Sequence, residues 1–191
     1  MNDSITKYIY AYVRRRPALC AASVYMARYG YWLYLLFGIV EWLRPGTDEK
    51  KRKARMALLE AIFSVCYSSL FSCFIGRLWK RKRPFVAHTD ICPSLFHKDN
   101  PSFPSNHTMN AVTSSMAVAK SSPLMGLFLF VWAFFIGLSR VACGLHYVSD
   151  ILGGAIMAIP GNRVASRCIV VRFLSSIMIT LWDIKVGAKR F

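Results

Sequence analysis

Apolar residues in this chain gather into long runs, and the charged residues fall between the runs instead of alternating with them. The start is the exception. Ile5, Tyr8, Ile9, Tyr12 and Val13 recur at three- and four-residue steps with Lys7 and Arg14 to Arg16 interleaved, which predicts a short amphipathic helix lying in a membrane interface. A solvated basic tail is the alternative. Tyr29 to Leu43 is apolar and aromatic-rich, but short for the ~30 Å of hydrocarbon in a bilayer. The first crossing therefore needs either an extension backward through Ala18 to Met26, interrupted only by Arg28, or local snorkelling. Arg44-Pro45-Gly46 ends it, and the following loop to Arg55 carries Lys50, Lys51, Arg52 and Lys53, which places that loop on the cytoplasmic side.

Ala57 to Ile75, with Glu60 as its only charge, predicts a second crossing that delivers Arg77 to Arg83 to the outer face. The stretch from Gly76 to Asn106 is rich in Pro, Asp, His and Ser and reads as a loop. A helix follows from His107 to about Lys120, whose Ala111, Ser114, Ser115, Ala117 and Ala119 suit close burial among other helices. Ser121-Ser122-Pro123 supplies a cap and a first-turn proline for the charge-free run Leu124 to Leu138. Ile151 to Ile159, with Gly153, Gly154, Ala155 and Ala158, returns inward and is expected to end at Pro160-Gly161-Asn162. Ile169 to Trp182 fits either a short sixth span, the favoured reading, or a helix along the cytoplasmic surface. The fold class is thus all-α: a polytopic membrane helix bundle of about five to six transmembrane helices with an N-terminal interfacial helix, in one domain.

Composition agrees. Of 191 residues 55% are hydrophobic and 18% charged, too apolar for an ordinary soluble fold. The formal net charge of +16 would suit a nucleic-acid binder, but the cations lie between apolar runs, where they face phospholipid headgroups or an anionic substrate, and no nucleic-acid motif is present. Six cysteines at 20, 66, 73, 92, 143 and 168 show no metal-ligand spacing. No cleavable signal peptide is read at the start.

With the helices so placed, three clusters share the outer face: Lys80-Arg81-Lys82-Arg83-Pro84, then Pro104-Ser105-Asn106-His107, then Ser139 to Asp150. Two histidines, an aspartate and several arginines can hold a phosphoryl group and pass it through a histidine without a metal. Arg83 and Arg140 present cationic forks to the nonbridging oxygens. Either alone would ordinarily be a headgroup-snorkelling arginine; their conjunction with the histidines argues otherwise. His146 and Asp150 are one helical turn apart, so the carboxylate can hold Nδ1–H while Nε2 aims at phosphorus, making His146 the nucleophile. His107, at a helix start, suits the general acid. Ser105 and the free N–H groups of that helix start can bind phosphate oxygens, and Asn106 either bonds substrate or, the favoured reading, caps the helix. Gly144 would permit close backbone approach of substrate, and Arg77 and Lys80 are further candidate cations. Two other classes compete. His107, His146 and Asp150 could form a two-histidine, one-carboxylate metal site, although the arginines would repel a divalent cation. A non-enzymatic transporter or anionic-lipid-binding protein could also place charges between helices, but would not need a His-Asp pair beside two arginines. No metal or cofactor is assigned.

The clusters resemble the three signatures of the type-2 phosphatidic acid phosphatase superfamily of membrane lipid phosphatases and vanadium haloperoxidases, over a catalytic core of about 57–160. Ser139-Arg140, five residues, His146, three residues, Asp150 matches the third signature throughout. Asn106 replaces the usual glycine of the second, a variant that resembles the bacitracin-resistance branch of undecaprenyl pyrophosphate phosphatases. In the first, the usual lysine seven residues before Arg83 is Gly76, leaving Arg77, Lys80, Arg81 or Lys82 to replace it. The resemblance implies a polyprenyl pyrophosphate substrate, most specifically undecaprenyl pyrophosphate, hydrolysed to the monophosphate and inorganic phosphate through a phosphohistidine. It also implies a role in carrier recycling for peptidoglycan synthesis and in bacitracin resistance. Related members act on phosphatidylglycerophosphate, phosphatidic acid or lipid A. The implied location is the bacterial inner (cytoplasmic) membrane, with the site facing the periplasm or exterior. Cys92 and Cys143 then share the outer side, where a disulfide between them is open, as is a homo-oligomer.

Overall fold

The computed structural model describes residues 2–43 and 49–187, and every regular element among them is helical. In chain order these are α1 (Asn2–Arg14), α2 (Pro17–Tyr29), α3 (Trp32–Leu43), α4 (Glu49–Trp79), α5 (Pro84–Ala87), α6 (Asn106–Ala119), α7 (Pro123–Ala142), α8 (Val148–Arg167) and α9 (Ile169–Gly187). α6 is the centre of the bundle, packed by α4, α7 and α8. Its small residues make this possible: Ala111, Thr113, Ser115 and Ala117 are fully buried. Gly154 of α8 meets the start of α6, where an added Cβ would lie 2.7 Å from the Ser105 carbonyl oxygen. That contact brings the second and third signature clusters together.

The amphipathic N-terminus is a helix, α1. It buries Thr6 and Tyr10 against the protein and leaves Ile5, Tyr8 and Tyr12 exposed, the arrangement of an interfacial helix. α7 begins where expected, with Pro123 in its first turn, although the Ser122 side chain makes no capping bond.

Several boundaries differ from the sequence reading. The first crossing is broken: α2 and α3 are separate, and α3, with 12 residues, is too short to span alone. The Gly30 carbonyl at the break accepts from Trp132 Nε1 at 2.8 Å, a tertiary bond that replaces continuation of the helix. Lys50 to Arg55 form the first turns of α4 and not a loop, helped by the Glu49–Lys53 pair at i,i+4. At 31 residues α4 is about 46 Å long, so its basic end projects beyond the hydrocarbon. The helix-ending role expected of Arg44-Pro45-Gly46 lies outside the described residues. α8 runs through Pro160 instead of stopping there, because Gly161 packs on Ser68 and Asn162 Nδ2 reaches the Thr113 carbonyl at 3.4 Å. α9 leaves α8 at 64°. It meets the basic start of α4 and the end of α3 through Arg52–Ser176, Arg55–Asp183 and a Trp42–Trp182 edge contact, and with α8 it forms one bent pair. By length and composition, two helical segments among the described residues can cross a membrane, Glu49–Ala87 and Pro123–Ala142, or three if bent α8–α9 counts as one. All six cysteines are free, with Cys143 buried and Cys92 exposed, so no Cys92–Cys143 disulfide is formed.

Candidate active site

The C-terminal ends of α4 and α7 and the N-terminal ends of α6 and α8 meet at one end of the bundle, beneath α1. α1 closes this end by supplying acceptors to the free N–H groups of α8: Thr6 Oγ1 takes Val148 N at 3.3 Å and Asn2 Oδ1 takes Ser149 N at 3.2 Å. Tyr10 ties α1 to the α5–α6 loop through Cys92, its hydroxyl donating to the carbonyl at 2.9 Å.

The first cluster enters by a turn. Lys80 adopts φ 49°, ending α4, and its amide returns to the Gly76 carbonyl at 2.9 Å. The chain then runs extended to Arg83, where Pro84 starts the single turn of α5. Arg83 is buried. Its Nε donates to the Asn100 carbonyl at 2.9 Å and to Asn100 Oδ1 at 3.1 Å, and its Nη1 lies 2.8 Å from the Leu145 carbonyl and 3.0 Å from His146 Nε2. A guanidinium keeps its proton even when buried, so Arg83 is a cation at this position.

α7 ends at Ala142 and the chain turns through Gly144, whose φ of +74° is in the region that favours glycine. Leu145 N closes the turn on the Arg140 carbonyl at 3.0 Å, which places His146 beside Arg83. An added Cβ at Gly144 would meet Ile91 at 2.6 Å and the Tyr10 ring at 3.4 Å. Gly144 is thus covered by protein; it shapes the turn and offers no backbone surface to a substrate. His146 is 2% exposed, its Nε2 facing Arg83 and its Nδ1 3.5 Å from Asp150 Oδ2. Nδ1 makes no hydrogen bond at this separation, and Asp150 Oδ2 is the acceptor it faces. Burial pushes the imidazole down to about 4; Asp150 opposes the shift and Arg83 and Arg140 add to it. His146 is therefore neutral, with an Nε2 lone pair, at physiological pH. Arg140 is buried as well: Nη1 donates to the Ala27 carbonyl at 3.2 Å, while Nε and Nη2 have no partner.

The second cluster joins them differently from expectation. The cap of α6 is Ser105, not Asn106: Ser105 Oγ faces Thr108 N at 3.5 Å and Thr108 Oγ1 at 3.1 Å, and the side chain is fully buried. Its hydroxyl is engaged within the helix start, whereas Asn106 Oδ1 is buried with no partner and is the polar atom left over. His107, half-buried, is held from the α2–α3 break: Tyr31 OH donates to its carbonyl, and the Tyr31 ring meets the imidazole edge-on at 5.6 Å. Arg77 and Lys80 are exposed, and no hydrogen bond or ion pair among the described residues joins them to this cluster. The Gly76 position is occupied by packing, since an added Cβ would lie 3.3 Å from Pro101 and 3.5 Å from the Phe103 carbonyl. His107, His146 and Asp150 do not assemble as metal ligands, and no group of three potential ligands occurs among the described residues. Asp150 is instead held by Arg81 Nη1 at 2.7 Å, by Ser102 Oγ and by Tyr147 N at 2.8 Å.

Sequence reasoning missed Tyr31, Asn100 and Ser102 and left Arg81 undistinguished. His97, half-buried in the α5–α6 loop, was also missed; burial and the charges of Arg83 and Arg140 hold its imidazole below the usual range. Ser102, four residues before Asn106, lay within reach of a signature scan; nothing local marks Tyr31. An apolar groove of about 710 Å³ between α3, α4 and α6, lined by Trp32, Leu35, Gly38, Leu58 and Ile62, also touches Tyr31. The groove and His107 thus meet at one side chain.

The family profile described as the PAP2 superfamily matches residues 57–173. The chain belongs to this superfamily. It is a membrane lipid phosphatase of that superfamily, and the three clusters read in the sequence come together at one end of its bundle. It is 30% identical over 159 residues to undecaprenyl-diphosphatase BcrC of Bacillus subtilis, covering 83% of this chain and 79% of that protein. It is 29% identical over 163 residues to putative undecaprenyl-diphosphatase YbjG of Escherichia coli, covering 84% and 79%. Its fold matches crystalline Aquifex aeolicus LpxE with a TM-score of 0.65 at 24% identity, over 87% of this chain and 94% of the other.

Proposed function

We propose that this PAP2 phosphatase hydrolyses a polyprenyl diphosphate, most specifically undecaprenyl pyrophosphate, through a phosphohistidine at His146. The observation that carries the phosphoryl site is Arg140, whose buried Nε and Nη2 lack partners beside Arg83 and two histidines. A buried guanidinium fork without an acceptor calls for an anion with paired oxygens. Arg83 Nη1 occupies His146 Nε2; a phosphate oxygen draws the guanidinium to itself and frees the lone pair. His146 Nε2 then attacks the terminal phosphorus, the P–N bond forms and the bridging P–O bond breaks. His107, held neutral by burial and by the charge of Arg140, takes a proton from the entering substrate phosphate and gives it to the departing lipid phosphate. Water, giving a proton back to His107, next attacks the phosphohistidine, and inorganic phosphate leaves. Asp150 stabilises the charge that develops on His146. Asn106 and the first N–H groups of α6 bind equatorial oxygens. The arginines do the electrostatic work a divalent cation would do, so activity is independent of added metal.

The lipid part of the reading rests on the groove at Tyr31, which offers an apolar tail a place next to His107, and on the relatives named undecaprenyl-diphosphatases. The site end faces away from the cytoplasm and the basic end of α4 faces inward, in the cytoplasmic membrane of a bacterium. Phosphate release should be compared in matched detergent micelles at equal surface concentration. The expected order of kcat/KM places undecaprenyl pyrophosphate above phosphatidic acid and phosphatidylglycerophosphate; the reverse order removes the polyprenyl assignment. His146→Ala should abolish turnover and acid-labile phosphoenzyme, and wild-type activity in that variant rules out the mechanism.

A further inference from the structure

We propose that Arg81 is a positioning residue that aims His146 by clamping Asp150, and that it does not replace the absent first-signature lysine as a phosphate ligand. Both carboxylate oxygens of Asp150 are fixed by the outer segment that also carries Arg83. Arg81 Nη1 donates to Oδ1 at 2.7 Å, while Ser102 Oγ donates to Oδ2 and Ser102 N is bound to the Arg81 carbonyl at 2.8 Å. Arg81 is itself held, with Nη1 2.7 Å from Ser149 Oγ and its guanidinium 4.0 Å from the centre of the Tyr147 ring. Two acceptors and a stacking face are met at once, which a planar fork can do and an ammonium cannot.

Asp150 is fully buried. Without a directly paired cation, and with Arg83 acting on it only through space, a carboxylate there would be costly and would draw a proton onto His146. Arg81 supplies the opposite charge, so the imidazole stays neutral and its Nδ1–H remains the atom turned toward Asp150. The groups facing His146 are Arg83 from the outer segment, Arg140 from α7, His107 from α6 and Asp150 from α8; those facing Asp150 are Arg81, Ser102, Tyr147 N, His146 and, without an ion-pair contact, Arg83. Arg81 is thus the sole cation among the described residues that is ion-paired to the carboxylate.

The inference rests on the reading of His146 as nucleophile, and its test has a readout apart from turnover. The full chain, labelled with [15N]histidine in detergent, is titrated as wild type, Arg81→Ala and Arg81→Lys, with His146→Gln assigning the signals. Wild type should show a neutral Nδ1–H tautomer at His146. Arg81→Ala should raise its titration midpoint by about one pH unit, because the Asp150 charge is no longer balanced, and Arg81→Lys should return it part of the way. In turnover, kcat should fall about 10- to 100-fold with KM within about twofold, as when a group that orients a reacting histidine is lost. The acid limb of kcat/KM should move up with the midpoint. Raised KM at unchanged kcat, or an unmoved His146 titration, overturns the proposal and, in the first case, makes Arg81 the missing phosphate ligand. If Arg81→Ala does not fold, Arg81→Lys is read by the same criteria. Should the His146 signals depend on Arg81 while wild type releases phosphate from no lipid, the nucleophile reading fails and the clamp stands.

Discussion

Replacing Arg140 by Met should make the protein more stable and inactive together. Arg140 is 3% exposed, and only Nη1 has an acceptor, the Ala27 carbonyl at 3.2 Å. Nε and Nη2 are buried without partners. An unsatisfied buried donor costs about 1–3 kcal/mol, more when charged, and the bond to Ala27 returns about 1 kcal/mol. Met keeps most of the stem volume, so Arg140→Met should gain about 1–3 kcal/mol in the absence of ligand. For a chain of this size the gain corresponds to a rise in Tm of about 3–10 °C.

Orthophosphate supplies the contrast. At about a hundredfold its Kd it should stabilise wild type by about 2.7 kcal/mol and leave Arg140→Met unmoved. Turnover of the lipid substrate should drop by about 10³ or more, since the lost fork faces the oxygens that gain charge in the transition state. Differential scanning fluorimetry in one detergent, with and without phosphate, reads both effects. A variant less stable than wild type that still gains stability from phosphate would refute the reasoning and make Arg140 a packing residue.

Two further outcomes follow from the same geometry. Because burial, opposed by Asp150, sets His146 at about 4, the acid limb of kcat/KM should lie near that pH and well below the ordinary histidine range. The lowered value also means that unfolding takes up a proton between about 6.5 and 4. Stability should therefore be complete above about 6.5 and decline by roughly 3 kcal/mol as pH falls through that window, a loss that His146→Gln removes in denaturant titrations. An acid limb at 6.5 or above contradicts the burial argument. Orientation is checked in intact cells carrying Cys92→Ser: an impermeant thiol reagent should reach a cysteine introduced at Asn100 and miss one at Lys51, and the opposite pattern inverts the topology.

The site was legible in the sequence to the extent that its parts sit at helix ends. Arg83, His107, Arg140, His146 and Asp150 each lie within a few residues of an apolar boundary, and alternating helix direction brings those boundaries to one side. What depended on a partner distant in the chain was not legible. The break at Gly30 comes from Trp132, 102 residues away, so a run that is uniformly apolar is divided by a bond its own composition does not reveal. Pro160 reads as a stop because a proline breaks the helical ladder, but contacts of Gly161 and Asn162 with α4 and α6 outweigh the lost bond. Asn106 outranked Ser105 as a cap only because the helix start was placed one residue late.

The missing lysine bears on how a diphosphate would be selected. A surplus of cations from Arg77 to Arg83 reads in the sequence as a match to the extra charge of a diphosphate. In the structure Arg77 and Lys80 are exposed, Arg81 is paired with Asp150, and Gly76 is packed against Pro101, so of this segment Arg83 is the cation left beside His146. Two arginines and the start of α6 can neutralise one phosphoryl group. Selection for a diphosphate then falls to the leaving side, where a lipid phosphate departs more readily than an alkoxide and needs less help from a proton donor. His107 is the group that meets this difference, and it sits where Tyr31 also borders the apolar groove. On the proposed reading, headgroup chemistry and tail would therefore be read at the same place, the side of the site formed by the α2–α3 break.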